Sequence, residues 1–503
     1  MNDVSHLAAP LLIAAMIAFA APVAAQPAVA IDLDTALTTA MGHPLLCGAT
    51  HREREAAARV RAEDDVRPWT LGADARALHQ RIPTLAVGGV TTPTTDTVAL
   101  GADVGKTFAW GTRVGLRVET RYQRSAIPVA PGASDQLELG PGYGVTARLS
   151  VEQPLLRGAG SDLGEAELRA RRQERRASRR RGLAQERVIL RDVHLGYYEL
   201  WYAEEALAIE RATLALAEAE LGAARARVAT GAEPASSINA HLTERAERAE
   251  AVEAAELLAQ QRGLELAWLV GLDEAAVFSA TASPPAPPVM GRRSLKHATR
   301  RALAESPALA ALDADLHAAR ERLRLAGEND RPALDLSGWV QSDGLGHQAV
   351  GPAFSQLGSF GAVSAQVGLR FEAPVSSSRH DAERSAARAA IDSLVAEQRA
   401  LRQQIASDVR VLVARAKTTR RRLALARETV EAARADLAAA RGRHHAGQAI
   451  LLEVREAMDA LRRAELRRRR LEVDWASADA ALRALTGEPL TARPSKRRCE
   501  GAA

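Results

Sequence analysis

Two periodicities divide the chain. Val193, Leu200, Leu207, Leu214, Leu221 and Val228 recur every seven residues, and Val409, Ala416, Leu423, Val430 and Leu437 do the same. A seven-residue apolar repeat sustained this long predicts helices that pack lengthwise against neighbouring helices. The stripe is narrow and its flanking positions Ala203, Ala217 and Ala224 are small, so side-by-side packing in a ring is expected rather than one thick core.

Elsewhere the period is two. Val114, Leu116, Val118, Thr120 and Tyr122 alternate with Arg113, Gly115, Arg117, Glu119 and Arg121. Residues 143–151 repeat the pattern, with Arg148 on the polar side. The second half supplies Val363, Ala365, Val367, Leu369 and Phe371 against Ser364, Gln366, Gly368 and Arg370, preceded by Leu334, Leu336 and Val340. Strict alternation predicts strands with one wet face. At about nine to eleven residues each, they have the length of tilted transmembrane strands. An ordinary half-buried soluble sheet gives the same alternation. Eight of the 17 aromatic residues fall within residues 81–153 and 332–374, as an interfacial girdle would place them. A few strands per chain cannot close a barrel, and lipid tolerates no open edge, so several chains are expected to share one.

The two patterns are duplicated. An offset of 216 residues carries Val193 to Val409, Gly231 to Gly447 and Gly271 to Gly487. VEQPL at 151–155 returns as FEAPV at 371–375, and AMGHP at 40–44 answers ALAESP at 302–307. Each repeat therefore reads as helix, β-rich stretch, very long helix, glycine turn and medium helix. The first repeat, 32–282, has helices over 32–68, 161–229 and 234–270 with a β segment over 80–155. The second, 293–490, has helices over 296–327, 377–445 and 449–486 with a β segment over 332–374. A proline-rich linker, 283–292, separates them, and 491–503 is a polar tail. In each repeat the two shorter helices together match the long one, which predicts end-to-end stacking over roughly 100 Å. The fold class expected is mostly α with a transmembrane β segment: a tandem-repeat α-barrel of long helices joined to a shared β-barrel.

Composition narrows the function. Among 503 residues, 67 Lys and Arg stand against 62 Asp and Glu, a formal charge of +5 that gives nucleic-acid binding little support. Aromatics make up only 3%. Cys47 and Cys499 lie 452 positions apart with no zinc-type spacing, so neither a disulfide framework nor a metal site is expected. The apolar run at 7–21, followed by Val23-Ala24-Ala25, predicts a secretory signal peptide over 1–25, although its leading residues lack Lys and Arg.

Together these motifs resemble the TolC family of outer-membrane efflux proteins over about residues 32–490. The resemblance rests on the duplication, the openings AMGHP and ALAESP, the strand exits VEQPLLRGAG and FEAPV, and the turns RVATG at 227–231 and RHHAG at 443–447. It implies a homotrimer in the outer membrane with a periplasmic extension, each chain giving four strands to the barrel. It also implies a periplasmic adaptor and an inner-membrane pump or transporter as partners, docking at the glycine turns. Arg227, Gly231, Arg443 and Gly447 are the expected docking residues, the glycines reversing the chain and the arginines meeting a helix dipole or a partner's carboxylate. Arg113, Arg117, Arg121, Arg148 and Arg370 are the expected lumen residues, diluted by Glu119 and Glu372. The first β segment exceeds the second by 43 residues, room for an additional hairpin such as 84–90 with 98–108, or for a long external loop. Glu233, Glu453 and Asp459 are possible members of an acidic constriction that no residue-by-residue match places.

Other signals carry less. RGAGSDLG at 157–164 lacks the Lys-Ser/Thr ending of a phosphate loop and reads as a linker. The arginine runs at 169–181 and 467–470 read as solvated helix faces, and His444-His445 is no metal site by itself. No HExxH, GxSxG or supported carboxylate pair is present, so no enzyme and no cofactor are expected. The function expected is passive conduction of small molecules or polypeptide as the exit duct of an efflux or type I secretion assembly. The alternatives are a periplasmic adaptor, or a soluble coiled-coil scaffold or nucleic-acid-binding protein.

Overall fold

The computed structural model describes residues 29–86, 89–129, 135–231, 234–272, 278–287, 294–328, 331–374, 378–490 and 499. The expected signal peptide, Glu233, most of the polar tail and part of the linker lie outside them. The first repeat runs β1 (Val29–Ile31), α1 (Leu33–Thr39), α2 (Pro44–Asp64), β2 (Thr70–Arg81), β3 (Thr84–Ala86), β4 (Gly89–Thr91), β5 (Thr94–Thr107), β6 (Arg113–Pro128), β7 (Gln136–Pro154), α3 (Ser161–Gly164), α4 (Ala166–Ala229) and α5 (Ser237–Val270). After β8 (Phe278–Ala280) come α6 (Leu295–Glu305), α7 (Pro307–Glu328), β9 (Ala333–His347), α8 (Gly351–Gly358), β10 (Val363–Glu372), α9 (Ser378–His445) and α10 (Leu451–Thr486). The chain is mostly helical with one large sheet.

Local chemistry explains the boundaries. Asp32 caps α1 by accepting from the Thr35 amide at 3.2 Å. The opening helix of each repeat breaks before a proline, at Pro44 and at Pro307, where the missing amide and the restricted preceding residue end the previous helix. Gly271 and Gly487, 216 positions apart, close α5 and α10 in the left-handed conformation with φ of 87° and 73°.

The chain forms two compact units. One holds residues 1–47, 186–302 and 408–503, and the other holds 48–185 and 303–407.

The first unit is helical. Its core gathers Leu37, Leu46, Val193, Tyr197, Leu200, Leu266, Val270 and Val473. The Tyr197 hydroxyl donates to the Ile31 carbonyl at 3.2 Å and accepts from the Ala282 amide at 2.8 Å. It thereby fastens the parallel ladder of β1 on β8 to α4. Cys47 and Cys499 form a disulfide with Cα atoms 5.3 Å apart, which corrects the expectation of no disulfide framework. Nothing in their spacing encodes the pairing; it depends on the fold returning the polar tail to the first repeat. The heptads are also graded. Val193, Leu200, Val409, Leu423 and Val430 are fully buried, whereas Leu207 and Leu214 are half-exposed, and Ala203, Ala217 and Ala224 fill the tight contacts instead.

The second unit is built on a six-stranded antiparallel sheet in the order β10-β9-β7-β6-β5-β2. Three expectations are corrected. The β segment begins at Thr70 rather than at 80, and α2 ends at Asp64. The additional hairpin exists, but residues 94–107 pair with 70–81, while 84–86 and 89–91 form a small ladder at its turn. The four strands implied by resemblance become six. Strand β2 escaped notice because, after Leu71, its apolar side is Ala73, Ala75 and Ala77, which carry little hydrophobic signal.

Candidate functional site

The register sorts the sheet into two faces. Leu71, Val104, Leu116, Leu149, Val340 and Ala365 lie directly opposite one another across all six strands, an unbroken apolar row. One position along, Gly72, Asp103, Arg117, Arg148, Gln341 and Ser364 form a polar row. Paired residues share a face, so the alternation is kept from edge to edge.

The apolar face is largely uncovered. Leu100 is 56% exposed, Val340 52% and Val367 79%. Only its far end is capped, where α8 packs on β9 with Ala353 over Gly344 and Gly346, and Val145 is buried. A water-soluble sheet would cover such a face with a second layer. Aromatics border the face at both ends. Trp69, Phe108, Trp110 and Phe371 lie at the end nearest the helices, and Tyr122, Tyr143, Phe354 and Phe360 lie at the other. Phe108 and Trp110 stack at 4.8 Å, and Tyr122 meets Tyr143 edge-on at 5.4 Å. From the Leu116 row the strands rise about 20 Å to the Tyr122 pair at ~3.4 Å per residue, close to the height of a lipid-facing band.

The polar face brings the five expected arginines together and pairs three of them with carboxylates. Arg113 meets Glu152 at 3.2 Å. Arg117 reaches Asp74 at 2.6 Å and Glu119 at 3.2 Å, and Arg121 reaches Glu119 at 3.0 Å. Arg148 donates to Gln341 at 2.7 Å and stacks over the Trp339 ring at 4.6 Å. Arg370 makes no ion pair among the described residues, although Asp335 is its register partner. Gly101 permits the longest of these contacts: a Cβ there would sit 2.6 Å from an Asp74 carboxylate oxygen and 2.5 Å from an Arg117 nitrogen. Its missing side chain lets Arg117 on β6 cross β5 to Asp74 on β2. Arg76 crosses the same strand to Glu119 at 2.8 Å.

In the helical unit, the two glycine turns reverse the chain at one end. Gly231 and Gly447 both have φ of 74°, and neither has another atom near the place a Cβ would occupy. Arg441 meets Glu220 at 3.3 Å and Leu216 packs on the cluster containing Leu437, so the ends of α4 and α9 lie together. Arg443 spans its turn to Glu453 at 3.5 Å, and the Gln448 amide donates to the Arg443 carbonyl at 2.8 Å. The side chain of His444 approaches the Ala449 carbonyl at 3.0 Å, a turn-closing contact. Among the described residues no cluster could hold a metal ion.

Sequence reasoning missed a buried ion network close to these turns. Glu244 and Arg248 of α5 pair at 2.6 Å, Arg248 reaches Asp459 of α10 at 2.7 Å, and Arg455 clasps Glu244. Arg462 continues the network to Glu210 of α4 at 2.8 Å. Against the cost of burial, the carboxylates of Glu244 and Asp459 hold the Arg248 guanidinium above its ordinary pKa. Glu453 and Asp459, weighed as members of a constriction, are thus both ion-paired within the chain.

The arginines of the run at 169–181 are largely exposed, as expected of a solvated face, whereas Arg468, Arg469 and Arg470 are half-buried. Arg469 stacks on Trp201 and Arg470 on Tyr202, and Arg470 pairs with Glu199 at 2.7 Å. In the second unit Arg169 meets Glu321 at 3.1 Å and Arg181 meets Asp315. Guanidinium planes bury well over rings and against carboxylates, a context that a count of arginines does not reveal.

Residues 298–488 match the outer membrane efflux protein family. No curated protein matches the chain. Several solved structures share its fold. The outer membrane protein VceC of Vibrio cholerae is 18% identical over 90% of this chain and 96% of its own, with a TM-score of 0.63. A membrane protein of Pseudomonas aeruginosa is 19% identical over 91% of each chain, with a TM-score of 0.65. The CmeC outer membrane channel of Campylobacter jejuni is 13% identical over 91% of this chain and 85% of its own, with a TM-score of 0.63. The family match thus covers the second half of the chain, and the chain as a whole shares the fold of these solved outer-membrane proteins.

Proposed function

We propose that the protein is a trimeric outer-membrane channel that completes an efflux or type I secretion assembly, conducting solutes passively outward. The observation that carries this reading is the two-faced sheet with free edges: one face apolar and uncovered, the other a ladder of charged and polar side chains. Such a sheet is stable in lipid only when copies join edge to edge, with the apolar face toward acyl chains and the polar face toward a water-filled lumen. The near balance of Arg with Asp and Glu on that polar face describes a hydrated passage without strong preference for one sign of charge.

The glycine turns, with Arg227 and Arg443 four residues earlier, are the proposed docking points for a periplasmic adaptor, which in turn engages an inner-membrane pump or transporter. The Cys47–Cys499 disulfide supports residence in an oxidising compartment such as the periplasm. Helices of the first unit and the sheet of the second supply the periplasmic and membrane portions.

Fractionation of the expressed chain, with mass spectrometry of its mature N-terminus and native mass in mild detergent, tests the proposal. A cleaved trimer in the outer membrane is the expected result. A soluble chain with residues 1–25 retained would return the reading to a scaffold, and a periplasmic species without membrane insertion would return it to an adaptor.

A further inference from the structure

We infer that the membrane barrel is closed by β2 of one copy pairing with β10 of the next, so that three chains build a wall of eighteen strands. The inference rests on the trimeric channel reading and specifies the seam and the gauge of its barrel.

Strand β2 belongs to the wall. It pairs with β5 over twelve register positions, and β5 pairs with β6 over fourteen, with the apolar and polar faces continuous throughout. Two ion pairs reach over β5 to hold it, Arg117 to Asp74 and Arg76 to Glu119. A hairpin folded aside as an external loop would have no reason to keep both faces in phase with the rest of the sheet.

The edges fit one another. Directions alternate along the six strands, so β2 and β10 run oppositely and an antiparallel seam forms when copies are arranged head to tail. The register also sets the tilt. The line of paired residues from Thr70, the first residue of β2, passes through Gly105, Gly115, Ser150 and Trp339 to Gln366, six residues short of the end of β10. A climb of about 20 Å over about 24 Å of sheet width is a strand tilt of roughly 40°, within the range of closed barrels.

Continuing that climb by one strand places Asp74 opposite Arg370 of the next copy. Arg370 makes no ion pair among the described residues, and the seam brings it to the Asp74 carboxylate, which Arg117 already meets at 2.6 Å and Arg76 at 3.1 Å. On the lipid face the same register sets Ala73, Ala75 and Ala77 against Phe371, Leu369 and Val367, small residues of one edge against large residues of the other. Eighteen strands at this tilt enclose a wall of about 18 Å radius, against about 12 Å for twelve strands.

The test is cross-linking in the full-length chain in outer membranes. Ala75→Cys combined with Leu369→Cys should give covalent dimers and trimers on mild oxidation, absent from either single variant. Val118→Cys with Leu369→Cys, the seam of a wall from which β2 and β5 are missing, should give none. The reverse pattern in an intact trimer would overturn the eighteen-strand wall and leave the channel reading standing. A chain that forms no trimer would overturn both. Electron microscopy of the unmodified trimer reads the same point without cysteines: a wall about 36 Å across supports the seam, and one of about 24 Å refutes it.

Discussion

Cys47, in the first turn of α2, and Cys499 are covalently joined across 452 positions. The bond ties the first repeat to the polar tail that follows the second, within the helical unit. Cross-linking distant positions stabilises chiefly by restricting the unfolded chain, typically by about 2–4 kcal/mol. Cys47→Ser should therefore lower the melting temperature of the detergent-solubilised protein to that of the reduced wild type. Reductant should have no further effect on the variant; equal melting of oxidised and reduced wild type would show that the bond does not carry stability.

The graded heptads separate two leucines that look alike in sequence. Leu423 is 2% exposed and packs with Ala426 and Leu471, whereas Leu207 is half-buried. Leu423→Ala should cost about 2–5 kcal/mol and Leu207→Ala distinctly less. Denaturant melts of the two variants measure the difference, and equal losses would contradict the packing described.

His194 gives the helical unit a pH dependence. Burial holds its imidazole below the ordinary value of 6.5, against the raising effect of its contact with the Leu190 carbonyl at 2.9 Å. A folded pKa below the unfolded one means that the unfolded chain binds the extra proton first. Stability from this group is complete above 6.5 and is lost as pH falls through the folded value. Melting temperature should decline over that window in wild type, and His194→Gln should flatten the decline. An unchanged slope in the variant would assign the dependence to another group.

Arg248 is the hub of the buried network. Arg248→Ala removes the cation shared by the buried Glu244 and the partly exposed Asp459, and should cost about 3–5 kcal/mol. Removing the charges together, in Arg248→Met with Glu244→Gln and Asp459→Asn, should cost less than Arg248→Ala alone. Thermal melts of the two variants decide it.

At the turns, Gly231→Arg and Gly447→Arg meet open space, and the strain of a left-handed side chain is about 1 kcal/mol. Trimer assembly should survive while capture of the periplasmic adaptor falls. Equal loss of both would show the turns to be structural only.

Much of this molecule was legible in the sequence because its signals are repetitive. Heptads, alternation and the 216-residue offset each recur, and the strands from Arg113 to Tyr122 and from Val363 to Phe371 are visible in their side chains alone. Strand β2 was hidden because Ala73, Ala75 and Ala77 barely contrast with their neighbours. The disulfide was hidden because nothing local relates Cys47 to Cys499. Arg469 and Arg470 were misread as wet, since only the fold supplies Trp201, Tyr202 and Glu199 as their covers. The turn arginines were placed by spacing, but the contact of Arg443 with Glu453 required three dimensions.

The hairpin of β2 and β5 leaves the rim of the sheet and comes back to it: Thr70 lies beside Gly105, and Thr107 pairs with Arg113 at the start of β6. To the rest of the chain it is a cassette whose two ends meet. Adding or excising such a cassette changes strand number by two, preserving both the direction of every remaining strand and the side on which its apolar residues fall. In the proposed wall, a single insertion or deletion at this point would change the bore by a discrete step while leaving every helix as it is.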